Sequence, residues 1–184
     1  AGEIWDSFVQ KTTDLGLSGV EAISAVPGSV GASPVQNVGA YGQEVSDTIT
    51  ELKAIDTESG ETVVLKNQDC EFSYRNSIFR DKFRGRYIIT AVTFKLSKTH
   101  LKPPFYPALN KYIDQHQITD FSPASIRKIV TAIRQTKLPD PSLVPNSGSF
   151  FKNALVDQNT LQELQKTYPD IPNYQMPGNQ WKIP

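Results

Sequence analysis

The sequence predicts an α+β fold, because strands and helices are mixed without the regular βαβ alternation of a doubly wound sheet. "TITELKAIDT" and "ETVVLKN" alternate with period two around an "ESG" turn and read as a β-hairpin. "RYIITAVTFKLSK", rich in β-branched and aromatic residues, supplies a third strand. "SPASIRKIVTAIRQTK" carries helical period and helical punctuation instead.

In chain order, Ile4, Trp5, Phe8 and Val9 are spaced for one face of an opening helix that runs to Leu15 and stops at Gly16. "PGSVGASPVQNVGAYG", residues 27–42, follows as a glycine-rich connection with hardly a charge. After the hairpin, "CEFSYRNSIFRDKFRG" mixes aromatic and basic residues without a clean period and reads as an irregular connection to the third strand. In the helix after it, Ser122 can cap, Pro123 suits the first position, and Ile126, Ile129, Val130 and Ile133 share one face. Prolines 139, 141 and 145 then mark a linker or domain entry, which places a boundary at residue 138. A capped helix from about Asn159 to Tyr168 precedes "PDIPNYQMPGNQ", read as a loop.

Composition excludes several function classes. Nineteen Lys and Arg balance nineteen Asp and Glu, so no global field draws the 184-residue chain to nucleic acid or to a membrane surface. No apolar run reaches membrane-spanning length and no signal-peptide pattern opens the chain, so a soluble cytoplasmic monomer is expected. Cys70 stands alone, and His100 and His116 lack companions at ligand spacing, which leaves no metal site.

Three segments could carry chemistry. Gly28, Gly31, Gly39 and Gly42 allow close backbone approach, and exposed N–H groups can cradle an anion without lysine. The stretch matches neither G-x-G-x-x-G nor a P-loop, and taken alone it is read first as a plain turn between core elements and only second as a ligand site. Arg75, beside Tyr74 in "FSYRNSIF", is either a surface cation–π partner or a fork for a carboxylate or phosphate. "NSGSFFKN", residues 146–153, is either a capping segment or a site in which Ser149 donates a proton to a carbanion.

Taken together and in order, "PGSVGASPVQNVGAYG", "YRNSIF", "KLPDP" and "NSGSFFKN" resemble the UDP-N-acetylenolpyruvoylglucosamine reductase (MurB) family across essentially the whole chain. The resemblance implies an FAD-binding domain of the vanillyl-alcohol-oxidase (PCMH-like) type, its second lobe over residues 1–138, then part of an α+β substrate-binding domain over 139–184. It implies that Gly28, Ser29, Val30, Gly31, Ala32, Ser33, Pro34, Gln36, Asn37, Gly39, Ala40, Tyr41 and Gly42 lie against FAD, with Ile89 nearby. NADPH would be the reductant, and UDP-N-acetylglucosamine enolpyruvate would be reduced to UDP-N-acetylmuramate for peptidoglycan. Arg75 and Ser149 take the catalytic roles by resemblance, the first stabilising enolate charge and the second protonating carbon. Tyr74, Tyr106, Lys137, Asn153, Tyr174 and Lys182 match substrate contacts.

The family also has an N-terminal FAD lobe and a C-terminal segment with a catalytic glutamate. Neither is found in this sequence, so the resemblance implies a central piece of the enzyme, inactive by itself. The alternatives are another FAD oxidoreductase of the same fold, or a non-catalytic fragment that binds a nucleotide sugar.

Overall fold

The computed structural model describes residues 1–139, 143–145 and 151–184. The chain divides into two compact units, Ala1–Asp140 and Pro141–Pro184.

The first unit is built on two apolar clusters. Helix α1 (Trp5–Asp14) buries Trp5 and Val9 and ends at Leu15, after which Gly16 takes a φ of +70° that a side chain would resist. The Trp5 indole N–H donates to the Ile23 carbonyl at 3.0 Å, so the largest core side chain is also satisfied as a donor. A glycine hairpin of β1 (Gly39–Ala40) and β2 (Gln43–Glu44) comes next. Strands β3 (Ile49–Asp56), β4 (Thr62–Lys66) and β5 (Tyr87–Phe94) form an antiparallel sheet in the order β4-β3-β5. Strand β3 is central and buries Ile49, Leu52 and Ala54, the first two joining Trp5, Val9, Val20, Ile23, Val45 and Cys70. Burial pushes the Cys70 thiol up to about 12. The outer face of the sheet leaves Ile55, Val64 and Ile88 exposed.

The second cluster belongs to α2 (Pro107–His116) and α3 (Pro123–Lys137), which bury Leu109 and Ile113 against Ile126, Ile129, Val130 and Ile133. Helix α3 starts as its sequence directs, with the Ser122 hydroxyl accepting from the Ser125 N–H at 3.3 Å and Pro123 in the first turn. Helix α2 was hidden among the prolines of "PPFYPAL". Pro107 in its first turn and the Leu109–Ile113 spacing were the signals for it.

In the second unit β6 (Ala154–Asp157), β8 (Gln180–Ile183) and β7 (Tyr174–Met176) make an antiparallel sheet in the order β6-β8-β7, beside helix α4 (Gln158–Thr167). Asp157 caps α4 by accepting from the Thr160 N–H at 2.7 Å. The segment expected to be a loop at 169–180 instead supplies β7 and the turn into β8, with Gly178 and Asn179 at φ of +75° and +55°. Two very short strands around "PGN" leave little period for a sequence to display. Among the described residues, no helix is long and apolar enough to cross a membrane.

Helices α1 and α3 are tied by charge as well as by apolar contact. Arg127 grips both Asp6 oxygens, at 2.6 and 2.8 Å, and Asp6 also accepts from the Ala25 N–H at 2.6 Å. The Arg127 hydrogen bonds, opposed by burial and helped by Ala25, hold the Asp6 carboxyl below its ordinary 3.8. A depressed folded value stabilises the protein above that ordinary value, and the contribution is lost as pH falls through the depressed one. Asp6→Asn is therefore expected to lower Tm by about 2–4 °C near neutral pH, corresponding to roughly 1 kcal/mol after solvent screening. Calorimetry should find the gap between variant and parent closing as pH falls below the ordinary 3.8 and through the depressed folded value; a gap that persists in strong acid would contradict the assignment.

Candidate active site at the glycine hairpin

Residues 28–42 make two distinct structures. The first part is fastened to the start of the chain: Trp5 N–H donates to the Gly28 carbonyl at 2.9 Å, Ser29 bridges Ile4, and Val30 and Gly31 N–H donate to Glu3 and Ala1 carbonyls at 2.9 and 2.8 Å. Ala32, Ser33, Val35, Asn37 and Val38 N–H groups are taken up by carbonyls within the stretch itself. Most of the backbone donors expected to cradle a diphosphate are therefore engaged inside the chain, and the stretch presents chiefly shape. Pro34 is among the fully buried residues, as is the Asn37 side chain. Gln36 instead lines a cleft of about 530 Å³ with Ala32, Val35, Phe79, Arg80 and Arg84.

The second part is the β1–β2 hairpin, turned by Tyr41 and Gly42 at φ of +48° and +87°. A side chain on Gly39 would come within 2.7 Å of the Gln43 carbonyl and 3.0 Å of the Arg75 Nη1. Relief of such crowding costs about 1–3 kcal/mol, so the glycine is required by packing here. Tyr106, the residue before α2, sets its ring edge-on to Tyr41 at 5.8 Å. Ile89 lies half-buried in β5 against the first core cluster.

Arg75 reaches this hairpin from the irregular connection. Its Nη2 donates to the Gly39 carbonyl, and its Nη1 lies 3.4 Å from the Asn37 carbonyl and 3.2 Å from Glu44 Oε1. The guanidinium also stands 5.1 Å from the Tyr74 ring, the cation–π arrangement, while its contact with the Glu44 carboxylate is through a single nitrogen. Ala25, Asn37, Tyr41 and Arg75 all adopt left-handed backbone, at φ of +56°, +45°, +48° and +53°. Such strained residues gather where a fold holds functional groups in place.

Two residues here escaped the sequence analysis. Glu44 sits two positions beyond Gly42, and its E-x-x-D spacing to Asp47 was the available signal. Arg134 lies one turn before Lys137 on α3 and donates from Nε to the Ala25 carbonyl at 3.1 Å. Burial raises the Tyr41 phenol above its ordinary range, while the Arg134 charge and hydrogen bond pull it back. Lys137 is exposed at the end of the same helix.

The remaining predicted residues belong to the second unit. Tyr174 and Lys182 are cross-strand partners, with the Lys182 Nζ 5.3 Å from the Tyr174 ring, and Asn153 directly precedes β6. Ser149 lies outside the described residues. Among the described residues no cluster of His, Cys, Asp and Glu could hold a metal ion.

No family model matches the chain. Curated relatives do. A UDP-N-acetylenolpyruvoylglucosamine reductase of Neisseria gonorrhoeae is 43% identical over 185 residues, covering 100% of this chain and 53% of the relative. One from Bdellovibrio bacteriovorus is 42% identical over 95% of this chain and 52% of its own length, and one from Flavobacterium johnsoniae is 39% identical over 100% and 55%. The chain spans about half the length of the curated relatives it matches. Its fold is similar to the crystal structure of UDP-N-acetylenolpyruvylglucosamine reductase (MurB) from Thermus caldophilus, with a TM-score of 0.55 and 16% identity over 98% of this chain and 58% of that one. Identity of this level, sustained from end to end and joined to a shared fold, shows that the chain belongs to the UDP-N-acetylenolpyruvoylglucosamine reductase family.

Proposed function

We propose that the chain serves in an NADPH-dependent, FAD-containing reductase that converts UDP-N-acetylglucosamine enolpyruvate to UDP-N-acetylmuramate, in the cytoplasm, for peptidoglycan synthesis. Residues 1–138 would be the second lobe of an FAD-binding domain of the vanillyl-alcohol-oxidase type, and 139–184 the first part of the substrate-binding domain. The observation that carries this reading is the convergence of Arg75 on the glycine hairpin, in a chain 43% identical to a reductase of that name. Relatives at 39–43% identity bear one name, which gives an alcohol- or hydroxy-acid-oxidising enzyme no support.

The hairpin is compatible with a flavin: its Tyr41–Gly42 turn offers an uncharged edge on which a ring system could rest, while the space at Gly39 is filled by Gln43, Glu44 and Arg75 of the chain itself. Gly28 to Pro34, Gln36, Asn37, Gly39 to Gly42 and Ile89 would hold the flavin. When bound, FAD supplies the two-electron relay between NADPH and the sugar substrate.

This chain's own groups would do the rest. As the enolpyruvyl double bond takes up hydride, negative charge builds toward its carboxylate, and a guanidinium fixed by the hairpin can meet that charge with little reorganisation. Ser149 would deliver the proton to carbon, and Tyr106 would close over the substrate. Lys137, Asn153, Tyr174 and Lys182 would recognise the UDP portion, giving local positive charge to a chain whose net charge is zero.

Two measurements on the flavin-loaded whole protein test these roles. Lys182→Ala should raise the KM for the UDP-sugar by about tenfold or more while flavin reduction by NADPH keeps its rate; an unchanged KM removes Lys182 from recognition. Ser149→Ala should leave NADPH-dependent flavin bleaching near normal and slow reoxidation by the enolpyruvyl sugar by on the order of a hundredfold. Stopped-flow absorbance separates the two halves. Normal reoxidation would take Ser149 out of the mechanism, and equal slowing of both halves would signal damage to the flavin site.

A further inference from the structure

We infer that Glu44 is the positioning residue of Arg75, and that Asn37 fixes Glu44 in turn; the inference rests on the role proposed for Arg75. Each oxygen of the Glu44 carboxylate has its own partner: Oε1 takes Arg75 Nη1 at 3.2 Å, and Oε2 takes Asn37 Nδ2 at 2.7 Å. The Asn37 side chain, 1% exposed, spans both segments of the site. Its Nδ2 also donates to the carbonyl of Ser73, two residues before Arg75, at 3.1 Å, and its Oδ1 accepts from the Ser46 N–H at 3.1 Å. Arg80 secures the far side, with its Nη1 donating to the Arg75 carbonyl at 3.2 Å.

The arrangement has a chemical logic. A guanidinium carries five N–H donors, and the contacts to Glu44, Asn37 and Gly39 engage its two Nη groups but not Nε. Donors are left for a substrate carboxylate. A carboxylate beside Arg75 also offsets part of the positive charge that would stabilise an enolate, so placing one here is a sacrifice of field strength for direction. Orientation can outweigh that loss, because misplacing a reacting group by about 1 Å costs on the order of a hundredfold in rate. Strong fixation is needed because Arg75 leaves the backbone in a left-handed conformation, at φ +53°, on an irregular connection with no helix or strand to aim it.

The test has two arms. In this chain, ¹⁵N-arginine NMR should resolve separate, slowly exchanging Nη signals for Arg75; Glu44→Ala should average them, and Glu44→Gln, which keeps one acceptor, should restore part of the separation. In the flavin-loaded whole protein, Glu44→Ala should slow reoxidation by the enolpyruvyl sugar at least tenfold and leave flavin reduction by NADPH unchanged, with Glu44→Gln intermediate. A merely structural carboxylate would slow both half-reactions or lower Tm without splitting them. Identical Arg75 spectra in parent and Glu44→Ala overturn the inference. So does normal reoxidation in Glu44→Ala when Arg75→Ala is slow. If Arg75→Ala itself reoxidises normally while the NMR clamp is intact, the role proposed for Arg75 has failed and the inference falls with it.

Discussion

The candidate site in the first unit depends on one buried amide. Asn37 sits in left-handed backbone, buried, with its side-chain donors and acceptor all directed at other segments. An amide left unsatisfied in such a place costs about 1–3 kcal/mol for each orphaned group, so the two segments that satisfy it are not free to drift. Those segments are the end of the glycine hairpin, through Glu44 and Ser46, and the irregular connection at Ser73. Nothing in local propensity would bring them together. Asparagine suits the role because it tolerates positive φ and carries both a donor and an acceptor on a short stem.

A second layer of the same logic surrounds the hairpin. The Gln43 side chain accepts from the Ala22 N–H at 2.7 Å, and Glu21, fully buried, takes the Ser18 hydroxyl and, at 2.5 Å, the Gly19 N–H. Asn67 donates to the carbonyls of Ser46 and Ile49 at 2.8 and 2.9 Å. Irregular backbone is thus held by side chains that replace missing ladder partners, the accounting that buried peptide groups impose. No buried side-chain nitrogen or oxygen among the described residues lacks a partner. The cost of an irregular site is met by polar side chains from the same irregular regions.

This explains what could be read from the sequence and what could not. The opening helix, the hairpin of β3 and β4, strand β5 and helix α3 carry their period within a single segment, and Gly16, Gly60 and Ser122 mark their limits at once. Helix α2 is as long as α1 but opens at Pro107, just behind Pro103 and Pro104, and the β7–β8 hairpin is short and turns at Pro177, so punctuation outweighed period in both. Within the site, the glycine stretch and Arg75 were legible as unusual local chemistry. Glu44 and Arg134 were not, because their roles exist only through partners far along the chain, such as Arg75 31 residues beyond Glu44. Arg134 meets the carbonyl of Ala25 across 109 residues, a pairing that no local pattern announces.

The solitary cysteine has a practical consequence. Cys70 lies in the first core cluster with no exposed surface and a thiol pushed up to about 12, so thiolate at neutral pH amounts to on the order of one molecule in a hundred thousand. An alkylating reagent meets almost no nucleophile until the sheet and α1 separate and the thiol returns to its ordinary acidity. With a single sulfhydryl in the sequence, the mass gained on alkylation has one origin. The rate of that gain is a built-in clock for the opening of the first core, readable by mass spectrometry without adding any probe to the protein.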